Sequence, residues 1–309
     1  MTLWRRNDGQ ATVLAAVFMF GMVALAAFVL DIGSWFRQQR ASQATVDAAA
    51  LAGAQVLPAD PTRARAIATD FATRNGGIAG ATITISSKWS PNDMITVSQT
   101  GAAPGFFSQI LGISTVSVSA HASAVIEVPA EARYVAPITV NIKHPKLSGV
   151  GCPCIGTDNL TTLPLGKTGA PGAFAMLNLD PKDITGTVGS STLADWITNG
   201  YNQNLPLGEY FSDPGAKFND SKIQAALQGR FKTDLLFPVY DALVSQGSNA
   251  EYHIIGWVAF HLTDLNVTGN GGSLTGYFTD VIWQGEIPPS GPPSPNIPDL
   301  GVHSVALID

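Results

Sequence analysis

From Ala11 to Leu30 the chain reads ATVLAAVFMFGMVALAAFVL, twenty residues without one charged side chain. As an α-helix this run is ~30 Å long, the thickness of a bilayer's hydrocarbon core. A backbone in lipid must satisfy its own hydrogen bonds, and a single helix does so. A cleaved signal peptide has a shorter apolar core with a small-residue cleavage site close behind it. Here the core runs instead into Asp31-Ile32-Gly33-Ser34-Trp35-Phe36, and Ala-x-Ala patterns come only near Ala48–Ala54. The expected reading is a retained transmembrane helix over 11–30 behind a tail of residues 1–10. Arg5 and Arg6 precede the span and Arg37 and Arg40 follow it, so the positive-inside count is close to a tie. The short tail and the composition of the remainder decide it. Charged residues are 13% of the chain, about half the usual share. Thr, Ser, Asn and Gly take their place, as in exported β-rich proteins. The expected topology is single-pass in the cytoplasmic (inner) membrane, N-terminus cytoplasmic and bulk extracytoplasmic, with the lipid bilayer as partner. A net charge of -6, with no Lys/Arg run beyond two, argues against nucleic acid.

The helix has no reason to stop at the membrane. No proline lies between Asp31 and Val56, and Ala41, Ala44, Ala48–Ala50, Leu51, Ala52 and Ala54 favour helix. Pro58 is the stop signal. A helix from Ala11 to Leu57 would be ~70 Å long. Arg5, Arg6, Asp31, Trp35 and Phe36 mark the two membrane interfaces, the aromatic rings at the outer one. Beyond it, Ser42, Val46, Ala49 and Gly53 recur at helical spacing as a narrow stripe of mostly small residues, which lets another backbone approach closely. Two partners suit the stripe: the chain's own sheet, or the helix of a neighbouring subunit.

Taken together, the basic start, Gly9-Gln10, the apolar span, the Asp31-Ile32-Gly33 exit, Arg37/Arg40 and the run Asp47-Ala48-Ala49-Ala50-Leu51-Ala52-Gly53-Ala54 resemble the N-terminal region of TadE/TadG-like proteins of the Flp (tight adherence) pilus system. The resemblance covers about residues 5–57 and extends weakly to 133. It implies a bacterial membrane-anchored protein with an extracytoplasmic body, other pilus-assembly subunits as partners, a part in assembly or surface attachment, and no catalytic residue. Type IV pilins are cleaved after a glycine and carry glutamate five residues on; cleavage after Gly9 would put Leu14 there, so pilin-type processing is not expected. The metal-adhesion motif Asp-x-Ser-x-Ser of von Willebrand A-type relatives does not occur.

Residues 31–133 read as the outer part of the long helix plus a small α+β unit, pilin-like in layout. Asp60 caps a second helix with Pro61 at its first position, and Asn75-Gly76-Gly77 ends it. ATITIS (81–86) and MITVSQ (94–99) alternate as a hairpin, GFFSQILGI (105–113) reads as a short apolar helix, and TVSVSAHASAVIEV (115–128) as a long strand with Val116, Val118, Ala120 and Ala122 on its apolar side. Residues 134–309 read as a β-rich sandwich or partly closed barrel. Its strands are PITVNI (137–142), FAMLNL (174–179), DLLFPVY (234–240), YHIIGWVAFHLTDLNV (252–267), LTGYFTDVIW (274–283) and VHSVALI (302–308), with short helices at 191–201 and 221–231. The proline-rich stretch 287–299 reads as a surface loop that brings the last strand back. The fold class is α+β.

Chemistry is sparse. Cys152-Pro153-Cys154 has no second cysteine pair. A small-loop disulfide is the first reading, free thiols or a metal or redox role the others. His253 and His261, eight apart on one strand, would stand ~26 Å from each other, too far for one metal. Asp180-Pro181-Lys182-Asp183 has too few oxygen ligands for calcium. Nucleophile elbows, Walker A loops and His-Glu-x-x-His are absent. No catalytic, cofactor or metal residue is assigned. Three functions remain: a structural or assembly role, a membrane-tethered binding module for polysaccharide or peptidoglycan, and an exported enzyme of unrecognised type.

Overall fold

The computed structural model describes residues 8–76, 80–165, 176–180, 188–213, 217–244, 250–268, 271–286 and 297–308. Arg5, Arg6, the start of FAMLNL, Pro181–Asp183 and residues 287–296 of the proline-rich stretch lie outside them. The chain divides into two compact units, Met1–Val125 with Ala306–Asp309, and Ile126–Val305.

Unit one is organised on one helix. α1, Asp8–Ala54, is 47 residues long. Its alanines and long apolar side chains keep it helical, and it ends just before Leu57-Pro58, where the missing proline N–H stops propagation. α2, Pro61–Arg74, starts where Asp60 accepts from the Arg63 N–H at 2.8 Å. It ends where the Asn75 N–H bonds to the Phe71 carbonyl. Three antiparallel strands follow: β1 (Thr82–Ser86), β2 (Met94–Pro104) and β3 (Thr115–Glu127). Val46, Ala49, Ala50 and Ala54 of α1, Ala64, Ala68 and Ala72 of α2, and Ile95 and Val97 of β2 are buried. Such small side chains let helix axes approach closely, at the cost of leaving little area to bury per residue. On β3 the buried side is Val118, Ala120, Ala122 and Ala124, with Val116 only half-buried.

One expectation is corrected. GFFSQILGI is not a short helix over its whole length. It is the β2–β3 hairpin loop, holding a single 3₁₀ turn at Ser108–Leu111 and closed by a left-handed Gly112. Local bonds close it: Gly105 N–H to the Ser114 carbonyl at 2.9 Å, and the Ser108 hydroxyl to the Ile113 carbonyl at 2.9 Å.

Unit two is β-rich. In order it contains β4 (Glu131–Ala132), β5 (Val140–Asn141), α3 (Pro145–Ser148), β6 (Thr161–Leu165), α4 (Ser190–Asn199), β7 (Leu205–Pro206), β8 (Gly208–Phe211), α5 (Ser221–Gly229), β9 (Thr233–Val244), β10 (Glu251–Thr268), β11 (Gly271–Thr279), β12 (Val281–Ile282), β13 (Gly285–Glu286) and β14 (Val302–Ile308). Its main sheet has the order β5-β9-β10-β11-β6, with β8 on β10. Only β5 joins it in parallel. Register shifts on β10 near Ile254 and near Leu262/Asp264 bend the sheet into a half-barrel curl. Alternation along β9 and β10 buries both faces. Phe237, Val239, Val258 and Phe260 pack with Leu193 and Ile197 of α4 and Ile223 and Leu227 of α5. Leu236, Tyr240, Tyr252 and Trp257 pack with Ala132 and Leu205 from a small β13-β4-β7 sheet. The fold class is thus mixed α+β.

Three predicted strands differ in extent. The described part of FAMLNL forms no strand, only isolated bridges from Met176 to Ile138 and from Leu177 to Ser212. PITVNI keeps ladder pairing only at Val140–Asn141, because Pro137 cannot donate and Ile138 makes a lone bridge to Met176. LTGYFTDVIW divides after Thr279, and Val281–Ile282 leaves the sheet to pair in parallel with Val302–His303.

Candidate functional site

The most unusual chemistry lies where α1 changes surroundings. Residues 10–30 are exposed, Ala27 alone being half-buried. Among the described residues this is the one helix long and apolar enough to cross a membrane. At Asp31 the exposure collapses to 1%. A buried carboxylate needs partners, and the hairpin loop supplies them. Oδ1 accepts from the Phe106 N–H at 2.9 Å, and Oδ2 from the Phe107 N–H at 3.0 Å and the Ser108 N–H at 2.5 Å. These donors converge because they open a 3₁₀ turn, whose first N–H groups have no partner within the turn. Burial pushes the Asp31 carboxyl upward, and the Ser108, Phe106 and Phe107 N–H groups outweigh it, so its pKa lies below the usual carboxylate value.

Asp31 begins a row along one side of α1. Trp35 Nε1 donates to the Pro104 carbonyl at 3.2 Å, Gln39 Nε2 to Ser119 at 2.6 Å, and Gln43 Nε2 to His121 at 2.8 Å. A four-residue step keeps all four on neighbouring turns of one face. This row is absent from the sequence reading; its signal is a repeat of long donor side chains at 35, 39 and 43. Phe36 stays exposed.

Farther on, the small-residue stripe is covered. Ser42, Val46 and Ala49 are 4%, 0% and 0% exposed, and Gln99 Nε2 donates to the Ser42 carbonyl at 3.4 Å. A Cβ at Gly53 would stand 2.7 Å from Ile95 Cδ1, 3.0 Å from the Ala64 carbonyl oxygen and 3.1 Å from Ala68 Cβ. The neighbours of Gly53 are therefore α2 and β2 of the same chain.

In unit two, Cys152 and Cys154 are joined at S–S 2.05 Å. The pair lies in a turn already fixed by backbone bonds from Cys152 N to Gly149 O and from Cys154 N to Lys146 O. Next to it, His144 Nδ1 accepts from the Lys146 N–H at 3.2 Å. Burial lowers the His144 pKa and the Lys146 charge adds to the effect. His253 and His261 each pair with a carboxylate on the next strand, Asp241 and Asp234, both at 2.7 Å. His303 is held by Asp299 at 3.2 Å; burial pulls its pKa down, and the Asp299, Asp280 and Glu127 carboxylates outweigh that and raise it. Among the described residues no group of three or more His, Cys, Asp or Glu side chains is placed to hold a metal ion.

The N-terminal region is similar to one known family: residues 9–56 match the model of the Tad family, described as "Putative Flp pilus-assembly TadE/G-like". The matched stretch holds the exposed half of α1, Asp31, the donor row and the buried stripe. No curated protein and no solved structure matches the chain.

Proposed function

We propose that this protein is a single-pass component of a pilus-assembly or surface-attachment system. Its N-terminus lies in the cytoplasm and both folded units lie outside the cytoplasmic membrane. The role is structural: α1 holds the exterior units at the membrane, where other pilus-assembly subunits are the partners. One observation carries this reading. The family match over residues 9–56 coincides with a helix whose first half is apolar on every side and, among the described residues, exposed save for a half-buried Ala27.

Two measurements test it. Protease added to spheroplasts should remove the exterior mass and leave a short membrane-protected fragment. Release of a soluble form beginning downstream of Leu30 would overturn the anchoring. Deletion of the gene should abolish Flp-type pili or adherence, and the intact chain should restore them; normal piliation in the deletion strain would overturn the assembly role.

A further inference from the structure

We infer that the hairpin loop Gly105–Ile113 is a second membrane-contacting element, seated in the outer-leaflet interface beside the point where α1 leaves the bilayer. This rests on the anchoring reading above. The loop reverses ordinary turn chemistry, which favours Gly, Pro, Asn, Asp and Ser at exposed tips. Phe106, Phe107, Ile110 and Ile113 are 62%, 43%, 85% and 46% exposed. Scattered exposed apolar side chains are ordinary, but four within eight residues on one closed loop form a patch. No Asp, Glu, Lys or Arg lies between Asp93 and Glu127, so nothing in the hairpin opposes contact with hydrocarbon.

Lipid is favoured as the occupant by position. The loop's N–H groups bond the carboxylate of Asp31, the residue that directly follows the apolar span, and Pro104 accepts from Trp35 one turn farther on. The patch is thereby held within hydrogen-bond distance of the helix exit, at the headgroup boundary where amphipathic and aromatic groups partition. The Asp31 charge tolerates this place because its oxygens are already supplied with donors. The loop and the span would then form one two-point anchor, which restricts how α1 can tilt and turn.

The test uses the full chain in phosphatidylethanolamine/phosphatidylglycerol vesicles, with an environment-sensitive fluorophore on Ile110→Cys, repeated on Phe106→Cys. Thr62→Cys is the control. Thr62 is exposed on α2, whose Ala64 and Ala68 neighbour Gly53, and Gly53 lies ~33 Å along α1 from Asp31. Flotation with the vesicles after alkaline washing is measured on the same samples. The expected result is a blue-shifted emission at 110 and 106, lost when lipids carry a nitroxide near the headgroup, with the label at 62 unaffected. Chains that float while 110 and 106 stay as wet as 62 overturn the loop contact and leave the anchor standing. Chains that do not float overturn both.

Discussion

α1 is one unbroken helix with two unlike halves. From Gln10 to Leu30 its large apolar side chains point in every direction and are exposed; from Asp31 to Ala54 it is less apolar, yet Val46, Ala49 and Ala50 are fully buried. Hydrophobicity and burial therefore run in opposite senses along the same element. In water the more apolar half would be the more buried one. The inversion is what the proposed anchor requires: an apolar helix with no polar side suits lipid, whereas small residues kept to one side suit packing against protein.

Placing a charge in the middle of the first half attacks the contrast hardest. Phe20→Arg should cost ~2.5–3.5 kcal/mol of insertion free energy, about a hundredfold in equilibrium. Alkaline extraction of membranes should then release much of the chain. An unchanged carbonate-resistant fraction would mean that residues 10–30 are not in lipid.

Overfilling the second half comes next. Gly53→Leu forces side-chain atoms against Ile95, Ala68 and the Ala64 carbonyl, and overpacking of this kind costs ~1–3 kcal/mol. Thermal unfolding of the full chain in detergent should show a lower Tm. An unaltered Tm together with failed pilus assembly would instead give this face to a neighbouring subunit.

The sequence makes the halves themselves legible, because length without charge, and small residues at helical spacing, are patterns of residue type. What joins α1 to its sheet is not legible in that way. Trp35, Gln39 and Gln43 donate to main-chain carbonyls of Pro104, Ser119 and His121, and any residue but for its side chain offers the same carbonyl. Asp31 likewise accepts from the backbone N–H groups of Phe106, Phe107 and Ser108. The hairpin loop misleads for a related reason: GFFSQILGI has a helix-like apolar content, and only the β2–β3 register, Pro104 opposite Thr115, makes it a tip. In unit two the long strands β9, β10, β11 and β14 follow from alternation. The two-residue strands β4, β5, β7, β12 and β13 are too short to carry a period.

The junction between the halves should respond to pH. A carboxylate whose pKa is lowered on folding stabilises the fold above its unfolded value, and that contribution disappears as pH falls through the folded value. Asp31 is such a group. Between neutral pH and pH ~3 the wild type should lose more Tm than Asp31→Asn, which has no charge to lose. Other lowered carboxylates, Asp220 and Asp299, act alike in both chains and cancel in the difference. Parallel curves would show that the three N–H bonds do not matter to the fold.

The mildest probe makes the same substitution at two places on α1. Gly33 is exposed and a Cβ there would meet nothing within 4 Å, whereas at Gly53 it would meet Ile95, the Ala64 carbonyl and Ala68. In a helix interior Gly→Ala is worth up to ~1 kcal/mol, through backbone entropy alone. Gly33→Ala should realise that gain as a small rise in Tm of the full chain. Gly53→Ala starts from the same gain and sets against it a carbonyl oxygen that cannot move without shifting α2. Its Tm should stay level or fall. The two changes share chemistry and helix, so propensity cancels between them and the difference measures packing at Gly53. Equal rises at both sites would mean that the second half of α1 is as loosely covered as its exit, and the contrast between the halves would then rest on Asp31 and the donor row alone.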